Sequence, residues 1–214
     1  TGVVYTAQTM QDIADVCIAN NLWLISDEVY DTQIWDGTHI TPRSLPGMAE
    51  RTLVVGSMSK SHAMTGSRIG WICGPEDAIS HLLNKATHTN YGVPGFIQDA
   101  AEFALKQGDQ VEEQVAAPFR RRRDLTMKAL SGQIVVRAVP AQGAMYVMLD
   151  IRATGMDGKS FANALLDEEL IAVMPGESFG DAAAGHLRVA MTVDDESYVA
   201  ALTKLIAFAQ KRAA

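Results

Sequence analysis

TLVVGSMSKSHAMTGSRIGW, Thr52 to Trp71, begins as one strand and ends as another. Leu53-Val54-Val55-Gly56 is a short β-branched run that reads as a buried strand, and Ile69 to Cys73 is a second apolar run. Between them a loop carries Ser57, Ser59, Lys60, Gly66 and Arg68, with Gly66 expected to turn the backbone ahead of the arginine. An ammonium is costly to desolvate, so a lysine between two buried strands calls for an explanation. The neutral amine is a nucleophile that adds to a carbonyl to give a Schiff base. Arg68, with hydroxyls at Ser57, Ser59, Ser61, Thr65 and Ser67, supplies one bidentate cation and several small donors, a set suited to a phosphate.

An imine-forming lysine beside a phosphate cup points to pyridoxal phosphate. Upstream, Thr9 to Asn20 has apolar residues at Met10, Ile13, Val16 and Cys17 and reads as a helix capped by Thr9. Leu22 to Ile25 follows as a fully buried strand, the pattern of a parallel sheet, whose functional residues gather at the carboxyl ends of strands. Asp27 and Tyr30 stand at that end, and Asp31 to Arg51 is a loop anchored by Trp35 and Leu45. Downstream, helices are expected from Pro75 to about Thr87, from Phe96 to Lys106 and from Asp109 to Leu130, the last kinked or broken at Pro118. Strands are expected over Val135–Val139, Ala144–Leu149, Leu170–Val173 and His186–Met191, and helices over Gly158–Glu169 and Asp194–Lys211. His186 and Arg188 share one face of their strand, while Leu187 and Val189 face the core.

The lysine segment Ser57–Trp71 resembles the signature of class I/II aminotransferases of fold type I. The resemblance implies that Lys60 forms the Schiff base with pyridoxal 5′-phosphate and later carries a proton between the substrate α-carbon and the cofactor. It implies that Ser57, three residues before the lysine, and Arg68, eight after it, bind the cofactor phosphate, with Ser59 in the same cup. LWLISDEVY, Leu22 to Tyr30, resembles the strand of that family with the Asp-x-x-Tyr pair. Asp27 then partners the pyridine nitrogen and keeps it protonated, and Tyr30 donates to the phenolate oxygen; Glu28 should face the other way. GHLRVA, Gly185 to Ala190, resembles the strand whose arginine, here Arg188, grips the substrate carboxylate. The motifs keep the family's order over essentially the whole chain. SLPGMAERT, SKSHAMTG, FIQDAA and GHLRVAM are most similar to an aspartate/aromatic-like branch that includes arginine–pyruvate transaminase.

The resemblance implies an α/β protein of fold type I. Residues 1–108 form the later part of a parallel-sheet large domain, incomplete at its N-terminus. Residues 109–214 form a linker helix and a small α+β domain. It also implies a ping-pong aminotransferase with amino acid and 2-oxo acid substrates, no metal, and a cytoplasmic homodimer. Thr1-Gly2-Val3-Val4-Tyr5 resembles the tail of the family's Asn-Pro-x-Gly turn. The expectation is the later part of a longer protein, which alone would be inactive or nearly so.

The 214 residues carry a net charge of −7, against the basic stripe that a nucleic-acid partner requires. Arg120 to Arg123 reads as a solvated helix face. No apolar run reaches transmembrane length, and Cys17 and Cys73 read as buried free thiols of a reducing compartment. His62 reads as a packing or solvated residue. Ser57-x-x-Lys60 also matches a penicillin-binding-protein motif, but its companion Lys-Thr-Gly is missing. Two alternatives keep the cofactor: a lyase or decarboxylase of the same fold, and a non-catalytic regulator domain that binds the cofactor as a sensor.

Overall fold

The computed structural model describes residues 1–213. The chain divides into two compact units, Val4–Ala116 and Thr1–Val3 with Ala117–Ala214.

The first unit opens with α1, Ala7–Ala19, capped by Thr6, whose hydroxyl accepts the Thr9 N–H at 3.1 Å. Thr9, the expected cap, lies inside the first turn. Met10, Ala14 and Cys17 form the buried stripe, at helical spacing, and Cys17 and Ala14 pack with Met48 from the following loop. Val16 faces out, because Ala14 rather than Val16 completes that stripe.

β1 (Leu24–Asp27) pairs parallel with β2 (Thr52–Ser57), and β2 pairs antiparallel with β3 (Gly70–Cys73). Parallel pairing therefore holds for β1 and β2 only. The segment from Met58 to Ile69 turns straight back without the crossover a third parallel strand would need. The strands are also less covered than their composition predicts. Leu24 and Ser26 are half-buried while Ile25 is 68% exposed, and every residue of β3 is exposed. α1 packs on the Leu24 side, through Ala14 and Cys17, and Ile25 and Asp27 alternate to the opposite face. Cys73, on β3, is exposed and Cys17 is buried, and both cysteines are free thiols. At Gly56 a Cβ would come within 2.4 Å of the Trp71 indole, so that glycine lets the ring lie against β2.

Next come α2, a single turn over Met58–Ser61, then α3 (Glu76–Ala86), α4 (Gly95–Leu105) and α5 (Asp109–Ala129). α5 runs through Pro118 without a break.

In the second unit β4 (Arg137–Val139), β5 (Tyr146–Asp150), β6 (Met174–Pro175) and β7 (His186–Ala190) form an antiparallel sheet in the order β4-β5-β7-β6. α6 (Gly158–Glu169) and α7 (Asp195–Gln210) pack into its core together with Leu130, Val136, Ala141, Ile151 and Met191. The expected strand at Leu170–Val173 forms only at Met174. Leu170 instead ends α6 in the left-handed conformation, φ 57°, with its side chain 85% exposed. Val147, Leu149, Ile151, Phe161, Leu165 and Leu187 are fully buried, and Phe161 meets Phe208 edge-on at 5.1 Å. Among the described residues no helix is long and apolar enough to cross a membrane.

Asp150 ends β5 between two arginines. Its Oδ1 and Oδ2 accept from Arg152 Nε and Nη2 at 2.9 and 2.8 Å, and Oδ2 also accepts from Arg137 Nη2 at 2.9 Å. The Arg152 guanidinium holds the Asp150 carboxyl well below the usual carboxylate range, against the opposing effect of burial.

Phe161→Ala is expected to cost about 3–5 kcal/mol, read as a lower urea midpoint; a loss well under 1 kcal/mol would mean that the core closes over the gap. A lowered carboxyl value in the folded state stabilises at pH above the ordinary value, and that contribution fades as pH falls towards the folded value. Asp150→Asn should therefore be less stable than wild type at pH 7, and the difference should narrow by pH 3. An equal difference at both would mean that the charge of Asp150 contributes nothing.

Candidate active site

β1 and β2 run parallel with Asp27 opposite Val55, so Asp27 and Ser57 end on the same edge of the sheet. Beyond Asp27 the chain turns: the Asp27 carboxylate accepts the Val29 N–H at 3.3 Å, and Tyr30 O accepts the Gln33 N–H at 3.0 Å. Asp27 itself is exposed. Glu28 points the other way, where its carboxylate lies 2.8 Å from His39 Nε2 and accepts from Thr41 Oγ1 at 2.7 Å. With a side chain only 8% exposed, it anchors the loop that follows. Burial pushes the nearby Asp31 carboxyl up, with His39 opposing.

Ser57 closes the lysine turn. Its Oγ accepts the Ser59 N–H at 3.0 Å, capping α2, and donates to the Ile69 carbonyl at 3.2 Å. Lys60 thus stands on a helical turn rather than in a loop. Its carbonyl accepts from Gln33 Nε2 at 3.1 Å, and its Nζ lies 6.0 Å from the Tyr30 ring centroid. Gln33 is wholly buried. His62 is buried too, with Nδ1 2.8 Å from Ser61 Oγ and Nε2 3.9 Å from Glu112. Burial pushes the Glu112 carboxyl up, and His62 opposes it.

The return from α2 to β3 is not made at Gly66, which stays out of the left-handed region. Ala63 and Arg68 adopt it instead, at φ 53° and 51°. For residues with a Cβ such angles are strained, and strain of this kind gathers at functional sites. Arg68 is exposed and donates from Nη1 to the Thr65 carbonyl at 2.8 Å. Because Ser57 pairs with Gly70, Arg68 and Ser57 belong to one turn, with half-buried Ser59 beside them.

Arg188 lies in the other unit, on β7. Its guanidinium is stacked between two rings, 4.2 Å from the Tyr146 centroid and 4.0 Å from that of Phe179. Its Nε is buried without a hydrogen-bond partner among the described residues. The strand pattern identifies the inward and outward faces correctly, since Leu187 is buried and Val189 packs on the core.

Lys60 and Tyr30 are therefore brought together, as are Ser57 and Arg68, with Asp27 on the shared strand edge. Gln33 was not singled out from sequence, nor were Tyr146, Phe179 and Glu177. A glutamine between Thr32 and Ile34 gives no periodic signal, and an aromatic ring on a loop does not announce a cation four ångströms away.

The model for aminotransferase class I and II matches residues 1–205, and the chain belongs to this family, whose cofactor is pyridoxal 5′-phosphate. It is 45% identical over 196 residues to arginine–pyruvate transaminase of Pseudomonas aeruginosa, covering 92% of this chain and 50% of that protein. It is 34% identical over 208 residues to aromatic-amino-acid aminotransferase 2 of Thermococcus litoralis, covering 96% and 51%. The crystal structure of an aromatic aminotransferase from Pyrococcus horikoshii superposes with a TM-score of 0.94 at 34% identity, over 99% of this chain and 57% of that one. The chain spans about half the length of the curated relatives it matches.

Glu28→Ala removes the acceptor of both His39 and Thr41. The expected cost is about 1–3 kcal/mol by urea unfolding, and an unchanged midpoint would mean that the loop is held by its apolar contacts alone.

Proposed function

We propose that the protein is an aminotransferase that moves the amino group of an amino acid to a 2-oxo acid, in two half-reactions, through pyridoxal 5′-phosphate on Lys60. The observation that carries this reading is the Lys60 amine held 6.0 Å from the Tyr30 ring, on a turn that also bears Ser57 and Arg68. The donor set fits the cofactor: an amine for its aldehyde, the Asp27 carboxylate for its ring nitrogen and the Tyr30 phenol for its phenolate oxygen. Arg68, Ser57 and Ser59 suit its phosphate, although the Ser57 proton must leave the Ile69 carbonyl to donate there.

The cofactor, when bound, supplies the electron sink that stabilises negative charge at the substrate α-carbon. Asp27 keeps the ring nitrogen protonated by its charge. The Lys60 amine would hold and move the proton at the substrate α-carbon. Arg188 grips the substrate carboxylate through a bidentate fork, and its unpartnered Nε and ring-stacked guanidinium support that role.

The names of the relatives support transamination over elimination, decarboxylation or a sensor role, and arginine with pyruvate is the first substrate pair to try. We infer a homodimer, supported by the exposed Phe96 and Phe103 rings on α4, and a cytoplasmic setting, supported by two free thiols.

The full-length protein with pyridoxal phosphate should show an absorbance band near the visible edge that borohydride fixes covalently. Lys60→Ala should abolish both the band and the fixation. A band that survives in Lys60→Ala would remove the lysine assignment, and with it the roles given to Asp27 and Tyr30.

A further inference from the structure

The loop after β6 holds a carboxylate that the reading above does not use. Glu177 sits in the turn Gly176–Phe179. Its Oε1 accepts two backbone N–H groups, from Gly158 and from Gly185, each at 2.9 Å. Gly158 is the first residue of α6, and Gly185 is the residue just before β7. One oxygen therefore ties three segments that are distant in sequence. The packing around it leaves no slack: a Cβ at Gly158 would lie 2.3 Å from Glu177 Oε2 and 2.6 Å from the His186 carbonyl. One at Gly176 would lie 2.0 Å from the Ala183 carbonyl. Oε2 is buried with no hydrogen-bond partner among the described residues. The two N–H bonds, from Gly185 and then Gly158, hold the carboxyl below its usual range, so Glu177 is the charged acceptor in this contact at neutral pH.

Two residues on from Glu177 stands Phe179, whose ring covers one face of the Arg188 guanidinium at 4.0 Å; Arg188 is three residues on from Gly185. Phe179 is 44% exposed, so its ring is covered on part of its surface only, and the turn that carries it sets where it lies. We propose that Glu177 is a positioning residue for Arg188: it clamps the Gly176–Phe179 turn to the start of α6 and to the start of β7, and so holds the Phe179 ring against the guanidinium. Without the clamp the turn loosens and the ring leaves. The guanidinium, walled then by Tyr146 alone, samples orientations in which its fork no longer meets a carboxylate. A pre-aimed arginine lowers the ordering cost of binding, so its loss appears in substrate affinity more than in turnover. This inference rests on the carboxylate-binding role proposed for Arg188.

The test uses the full-length protein loaded with pyridoxal phosphate, with pyruvate as the varied 2-oxo acid. Glu177→Ala should raise KM for pyruvate about tenfold while kcat stays within about twofold. Glu177→Gln keeps an acceptor oxygen for both N–H groups and should stay within about threefold of wild type. Asp194→Ala is the control for stability alone. It removes the α7 cap, where Asp194 accepts the Ser197 N–H at 2.9 Å, and should lower Tm without moving KM. Should Glu177→Ala not fold, Glu177→Asp, one methylene shorter, is read in the same way. Arg188→Ala separates the two inferences. If it raises KM and Glu177→Ala does not, the positioning role is overturned and the arginine role stands. If Arg188→Ala leaves KM unchanged, both fall.

Discussion

The Ser57 hydroxyl is a small group with two commitments, and the placement of Lys60 depends on both. It accepts the Ser59 N–H, which starts the helical turn, and donates to the Ile69 carbonyl, which closes that turn on the returning strand. Without the first bond, α2 has no side-chain cap. Without the second, the Ile69 carbonyl keeps the Met58 N–H at 3.4 Å, beside the β2–β3 ladder, as the tie across the ends of the Met58–Ile69 segment. The buried Gln33 side chain adds a hydrogen bond to the Lys60 carbonyl. A flexible amine on a surface loop would lose most of its effective concentration to conformational freedom; a turn fixed at three points keeps it near Tyr30.

The C-terminal unit solves a similar problem with different chemistry. Its sheet is antiparallel and buried on one side by α6 and α7, so β7 has a fixed inward face. That leaves Arg188 on the other face, where Tyr146 and Phe179 supply its walls. Stacking on rings costs less desolvation than burying a guanidinium against aliphatic side chains, and it leaves the fork available in the plane of the group. Asp150, at the other end of the paired strand, is held by two arginines instead and has no acceptor capacity to spare for a ligand.

Much of this was legible in the chain. The β2–lysine–β3 alternation, the α6 boundaries and the Asp194 cap of α7 follow from local rules of periodicity, capping and turn chemistry, and the structure carries them. Local rules failed where the answer depended on what lies above a strand. Leu22 to Ile25 reads as buried because it is continuously apolar, yet Leu22, Trp23 and Ile25 are exposed and Leu24 is half-buried against α1. The turn before Arg68 was assigned to glycine on general grounds, and the backbone took its left-handed residues at Ala63 and Arg68 instead.

By itself the sequence determined which residues carry reactive or charged groups and the order in which strands, turns and helices bring them along the chain. Lys60, Arg68, Asp27, Tyr30 and Arg188 could all be chosen from spacing and resemblance, because those are properties of the chain read in one dimension. Only the tertiary structure decided their partners: Gln33 beneath Lys60, Phe179 and Tyr146 around Arg188, and Glu177 across three segments. These contacts join residues whose closeness arises from sheet register and from loops folding back. No local propensity encodes a distance of that kind, because it is set by the packing of the whole unit at once.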